Sequence, residues 1–180
     1  MAIYRLDASH SSASFSARHT MMARVRGELG IVSGTLSFDP ANPSAASVEV
    51  ELDAASIATR DEKRDEHLRS ADFLDIGQFP TLTFKSTRVE TKDGKAGKVY
   101  GDLTIRGVTR PVVIDAVNLG EQTSPWGNKV VGFSGSTKVN REDWGLTWNV
   151  ALEAGGWLVS KDIEINLDVE ALPVTEAAAD

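Results

Sequence analysis

With 180 residues, 26 carboxylates against 19 lysines and arginines and a net charge of −7, the chain fits one domain, and a domain of this size buries roughly 70% of the surface its unfolded chain exposes. The absence of cysteine excludes disulfides, thiolate catalysis and cysteine-ligated metal centres, while the acidic balance weighs against nucleic acid as the main partner. No apolar run is long enough to span a bilayer and no basic-then-apolar leader opens the chain, so a cytoplasmic protein without stable membrane insertion is expected.

Nearly everything is written in period two. Residues 13–19 place Ala13, Phe15, Ala17 and His19 on one face against serines and Arg18, the pattern of a strand with one wet side. Gly27, Gly30 and Gly34 interrupt the long strand that follows, and glycines there permit bulges or a sharp bend. After a loop marked by Pro40 and Pro43, Val48, Val50, Leu52 and Ala54 alternate with acidic residues.

The segment 59–86 breaks this pattern. Thr59 with Glu62 reads as a capping box, and Asp65 with Arg69 as an i,i+4 pair, which predicts a short helix over 60–71. Leu68, Ala71, Phe73, Leu74, Ile76 and Phe79 then form an apolar cluster ended by Pro80. Two readings stand side by side: a helical crossover whose apolar end completes the core, or a plug over one mouth of a barrel, with 60–80 as the gate.

Strands resume with Leu82, Phe84, Ser86 and Arg88 on one face, a charged hairpin loop at 92–97, a strand carrying Leu103 and Ile105, and a turn at 107–111. A strand over 112–119, a connection at 124–129 and a strand bearing Phe133 come next. Residues 140–149 show no alternation, and 157–170 put Lys161, Ile163 and Ile165 on one face. Residues 173–180 read as a flexible tail after a single domain over 1–172. About eight strands with one polar face favour an antiparallel barrel or sandwich, which pattern alone does not separate.

The three histidines, at 10, 19 and 67, lack metal-ligand spacing, and no nucleophile elbow, phosphate loop or dinucleotide fingerprint occurs. No metal or cofactor is expected. His19, Arg88 and Lys161 share the apolar parity of their strands. Unpaired charges are costly in a core, so these groups either snorkel at a rim or meet an anion inside.

Residues 65–86, DEHLRSADFLDIGQFPTLTFKS, resemble the signature of the YceI-like, polyisoprenoid-binding family. So do YRLDASHSSASFSARH at 4–19, GELGIVSGTLSFDP at 27–40, GDLTIRGVTRPVVIDA at 101–116 and GFSGSTKVNREDWGLTWN at 132–149, in the same order, over about residues 3–170. The resemblance implies an all-β fold: an eight-stranded antiparallel lipocalin-like barrel with one short helix, an apolar cavity for an isoprenoid chain, and a homodimer. Position by position it marks Phe15, His19, Arg69, Phe73, Phe79 and Phe133 as cavity or mouth residues. Arg106 stands where the family usually has histidine, and Trp144 where it has phenylalanine, enlarging the aromatic wall.

Combined with strand parity, the expected ligand-binding set is Phe15, His19, Arg69, Phe73, Phe79, Phe84, Arg88, Leu103, Phe133, Trp144, Lys161, Ile163 and Ile165. The expected function is non-catalytic binding, storage or transport of an isoprenoid or similar amphiphile. Two alternatives predict different interiors: a hydrolase or isomerase needs a buried polar pair such as His19 with a carboxylate, and a structural module needs a barrel packed solid.

Overall fold

The computed structural model describes residues 1–174. Nine strands lie among the described residues: β1 (Ala2–Leu6), β2 (Ser12–His19), β3 (Ala23–Phe38), β4 (Ser47–Ala58), β5 (Thr81–Thr91), β6 (Ala96–Ile105), β7 (Val108–Thr123), β8 (Lys129–Asn140) and β9 (Asp162–Pro173). A single α-helix, α1 (Glu62–Arg69), and 3₁₀ turns at Pro43–Ala45 and Arg141–Trp144 complete the set. Every pairing is antiparallel, and the sheet runs β3–β2–β9–β8–β7–β6–β5–β4 before β4 returns to β3. The barrel is closed, which removes free sheet edges.

Nine strands fill eight positions because β1 and β2 share one. Both pair with β3, β1 along Thr35–Phe38 and β2 along 23–29, and both pair with β9. Residues 7–11 break this split strand. There the Asp7 carboxylate accepts from the Ser9 amide and hydroxyl and bonds His10 Nδ1 at 2.8 Å, while the Ser11 hydroxyl exchanges hydrogen bonds with the Glu170 backbone. Asp7, His10 and Glu170 bring ligand-type atoms within 4.8 Å of one another; the Asp7–His10 bond accounts for two of them, and the Ser11 contact holds the Glu170 backbone beside the break. At five residues β1 is too short to announce itself by alternation.

One barrel end carries the Pro43–Ala45 turn and the β5–β6 and β7–β8 hairpins. The other carries the turn after β2, α1 with residues 70–80, the β6–β7 turn and residues 141–161. A packed cluster including Ala54, Ile57, Leu82, Leu103, Val112 and Trp144 fills part of the helix end, and a second, around Tyr4, Leu6, Leu36, Phe38 and Val131, lies toward the opposite end.

The helix is shorter than 60–71 and differently capped. Arg60 has φ 66°, outside the helical region, and Asp61 is the N-cap, accepting from the Arg64 amide at 3.0 Å. Thr59 instead donates its amide and hydroxyl to the buried Asp65 carboxylate at 2.9 and 2.5 Å, so Asp65 does not pair with Arg69. The segment 157–161 is bends and two isolated bridges, Trp157 to Ala151 and Val159 to His19, and β9 begins only at Asp162. The turn at 107–111 contracts to Arg106 and Gly107, both at positive φ, with β7 starting at Val108. Pro173 pairs with Tyr4 and the Val174 amide donates to Ile3 O at 2.8 Å, so the tail's first two residues join the sheet. The rest of the tail lies outside the described residues.

Candidate ligand-binding site

The barrel interior holds two chambers. The first, about 170 Å³, is almost wholly apolar and includes Leu36, Val48, Phe84, Ile114, Phe133 and Leu167 in its wall. Phe133 stands edge-on to Phe38, ring centres 5.3 Å apart. Pro43 and residues 94–97 of the β5–β6 hairpin reach its outer end, where Asn118 ties the hairpin down by donating to Gly94 O at 3.1 Å and accepts from the Gly120 amide at 2.9 Å.

The second chamber, about 410 Å³, lies beneath α1. Phe15, Ala17 and His19 of β2 and Val25 of β3 make one wall, Thr59 and the Lys63, Arg64, His67 and Leu68 side of the helix another, and Phe73, Trp148, Leu158 and Val159 the rest. His67 is fixed by Asp72 at 2.8 Å and by edge-on contacts to Phe73 and Trp148, at 5.1 and 4.5 Å between ring centres. Arg64 donates to the Thr59 hydroxyl and carbonyl, each at 2.7 Å. Arg18 donates to Met22 O at 3.0 Å. Among the described residues, the side chains of Lys63 and His19 make no hydrogen bond or ion pair.

A single inward layer separates the chambers on the β2–β9 side. Leu167 of the first chamber pairs with Ala13; two residues along, Ile165 pairs with Phe15 of the second. Phe15 also faces Gly27, whose missing side chain leaves the space the ring occupies.

The residues expected from sequence are thus dispersed. Phe84 and Phe133 reach the first chamber; Phe15, His19 and Phe73 reach the second. Leu103 belongs to the packed cluster, and Ile163 and Ile165 pair with Val139 and Thr137 of β8 but line neither chamber.

Five residues stand elsewhere, each for a definable reason. In β5 the register shifts between Ser86 and Arg88, reversing the alternation. Val89 therefore faces the first chamber, while Arg88 lies outside over the Tyr100 ring at 3.9 Å and pairs with Glu90. Lys161 precedes β9, so strand parity does not govern it; exposed, it pairs with Glu142 at 3.3 Å. Arg69 donates to Ala55 O and Ile57 O at 2.9 and 3.0 Å. Those carbonyls belong to the end of β4 beyond its pairing with β5, and the guanidinium satisfies them. Phe79 sits on the β6–β7 turn, where a Cβ at Gly107 would come within 2.6 Å of its ring. Trp144 is 2% exposed and donates its indole N–H to Leu103 O at 2.9 Å, making it a core wedge rather than cavity wall.

His19 has no hydrogen-bonded carboxylate among the described residues, so the pair that a hydrolytic or isomerising site would place there is not formed. Sequence reasoning also missed Lys63, Arg64 and His67, although their helical spacing puts them on one face with Leu68. Arg141, buried at 4% exposure, went unremarked too. It donates to the carbonyls of Ser160, Trp148 and Leu146 and thereby holds the loop 145–161 against the barrel. Burial lowers its pKa from the ordinary arginine value. Arg106 donates to Phe73 O at 3.2 Å, so this departure from the family's histidine braces the chamber's Phe73 loop.

The family described as YceI-like domain matches residues 4–171. A UPF0312 protein of Pseudomonas paraeruginosa is 36% identical over 171 residues, covering 94% of this chain and 86% of the relative. Among solved structures, Burkholderia cenocepacia BcnA superposes with TM-score 0.76 at 20% identity, covering 92% of this chain and 98% of that one. A polyisoprenoid-binding domain from Saccharophagus degradans gives 0.68 at 13% identity, covering 97% and 100%. At those identities the two structures share the barrel with this chain. Among the described residues no helix is long and apolar enough to cross a membrane.

Proposed function

The chain belongs to the YceI-like family, and on that premise we propose that it binds an isoprenoid or similar amphiphilic lipid without transforming it, as a carrier or store. The observation that carries this reading is the first chamber, an apolar space inside a closed barrel that packing could have filled but does not. A dry apolar cavity gives an alkyl or prenyl chain roughly 0.8 kcal/mol for each CH₂-sized group withdrawn from water. Such a gain accumulates with chain length and discriminates little along it. The polyisoprenoid-binding neighbour supports the ligand class by likeness of fold. Homodimerisation and a cytoplasmic setting rest on the sequence reading, and sedimentation at micromolar concentration tests the former.

The direct experiment is to purify the protein from its native host, extract it with organic solvent under denaturing conditions and identify what is released by mass spectrometry. A polyprenyl or comparable long-chain species at near one per chain is expected. Protein that releases no lipid and takes none up from a supplied prenol would defeat the reading.

A further inference from the structure

The turn between β2 and β3 holds two large apolar side chains out in solvent at the helix end of the barrel. Met21 and Met22 are 64% and 76% exposed, and the backbone keeps Thr20 and Met21 at φ 49° and 63°, a left-handed conformation that non-glycine residues adopt only where their surroundings enforce it. The loop 145–161 does so here: the Thr20 amide donates to Leu158 O at 2.8 Å, and the Met21 sulfur lies over Gly156, where a side chain would collide with it. That loop adds the exposed Val150 and Trp157, tied together where the Leu158 amide donates to Val150 O at 2.9 Å.

Charge follows the same turn. Residues 17–26, ARHTMMARVR, carry three arginines and no carboxylate, in a chain with 26 acidic and 19 basic side chains. Arg18 and Arg24 form the second cross-strand pair behind the turn, and Arg26 follows; all three are exposed. Arg18 donates to Met22 O, and Arg24 pairs with Glu164 at 3.1 Å. Glu153 is the single carboxylate of the loop 145–161. Thioether and indole groups in front of guanidinium groups suit the boundary between lipid head groups and acyl chains. The net charge of −7 repels the rest of the barrel from an anionic surface, so approach is oriented.

We infer that the β2–β3 turn and the Trp157 loop form the surface by which the protein docks reversibly on an anionic membrane. The partner is the bilayer face and not a ligand of the interior, since Met21, Met22 and Trp157 line neither chamber. The same two segments give His19, Leu158 and Val159 to the wall of the helix-side chamber, so docking places that chamber beside the bilayer. Docking goes beyond the lipid-binding reading and does not require it.

The test is co-sedimentation of the full chain with vesicles of phosphatidylcholine alone and of equal parts phosphatidylcholine and phosphatidylglycerol. The wild-type protein should bind the mixed vesicles roughly tenfold more tightly, and the difference should shrink as salt is raised. Met21→Asn combined with Met22→Gln, the first chosen because asparagine tolerates positive φ, should weaken binding to mixed vesicles by about tenfold or more. Arg24→Gln should weaken it several-fold, and both variants should take up farnesol in solution as the wild type does. Trp126, exposed on the β7–β8 hairpin at the opposite end, serves as the control: Trp157→Phe should remove quenching by brominated phosphatidylcholine in the mixed vesicles, and Trp126→Phe should not. Wild-type protein that stays in the supernatant, or quenching carried by Trp126, would overturn the docking surface. Equal binding to both vesicles would overturn the part given to the arginines, and a dimer abolished by the methionine substitutions would show that a second copy covers the turn instead. Vesicle binding without farnesol uptake would defeat the lipid-carrier reading and leave the docking surface standing.

Discussion

Phe15 and Gly27 form a cross-strand pair in which one residue supplies a ring and the other the room for it: a side chain at Gly27 would collide with the ring edge. Phe15 lines the helix-side chamber and packs against the core cluster beside it, so this pair helps to close that chamber on its inner side. Phe15→Ala should open a passage, cost about 2–4 kcal/mol of stability, and shift preference toward longer prenols. Denaturant unfolding and a chain-length series of ligands would measure the two effects. Lost stability with an unchanged chain-length profile would show that Phe15 only packs.

Phe73 and Phe79 separate gating from packing within residues 60–80. Phe73 lines the helix-side chamber, whereas Phe79 lies on the Gly107 turn. Phe73→Ala should speed release of a fluorescent isoprenoid several-fold, and Phe79→Ala should leave release near wild type while costing roughly 1–3 kcal/mol. Stopped-flow release with equilibrium unfolding of both variants tests this, and faster release from Phe79→Ala alone would reverse the assignment.

Arg141 should prove structural rather than ligand-directed. Arg141→Met removes donors from several buried or half-buried carbonyls at once, so a loss of about 2–4 kcal/mol is expected. Protease cleavage should rise within residues 145–161, read by mass spectrometry of the fragments, with the rest of the barrel still protected.

The Asp7–His10 contact makes stability depend on pH in a defined sense. Its hydrogen bond to His10, helped by Ser9, lowers Asp7 from 3.8 to about 2, and the same bond to Asp7 raises His10 above 6.5. Asp7 therefore contributes above its ordinary value and loses that contribution as pH falls toward about 2. His10 contributes fully below 6.5 and loses its contribution as pH rises through its raised value. Both groups together act between about pH 4 and 6.5. The urea midpoint of wild type minus that of His10→Gln should be largest there and shrink on either side; a flat difference would show that the pair does not contribute through ionisation.

Most of the barrel was legible because one buried face per strand forces period two on the sequence; β2, β6 and β8 follow it, and β3 and β4 follow it between the register shifts that interrupt their pairing. The misplaced residues mark where that period stops carrying information. One extra residue in β5 moves Arg88 outward, and Lys161 lies just outside the strand its alternation suggested. The helix-side chamber was hidden for another reason. Lys63, Arg64, His67 and Leu68 share one face of a short, highly charged helix, and strand alternation says nothing about which helical residues turn toward the barrel. Trp144 reads as a cavity aromatic until its indole N–H is seen to require the Leu103 carbonyl.

The split first strand has a consequence for the order of events in folding. β1 and β2 both pair with β9, and Ser11 bonds Glu170 across 159 residues of sequence. While the chain is being synthesised, β2 to β8 can zip together strand by strand, but the seam must wait until β9 has emerged from the ribosome. Until then, the edges of β2 and β8 that will meet β9 stay open, and the nascent chain is most exposed to mispairing with its neighbours.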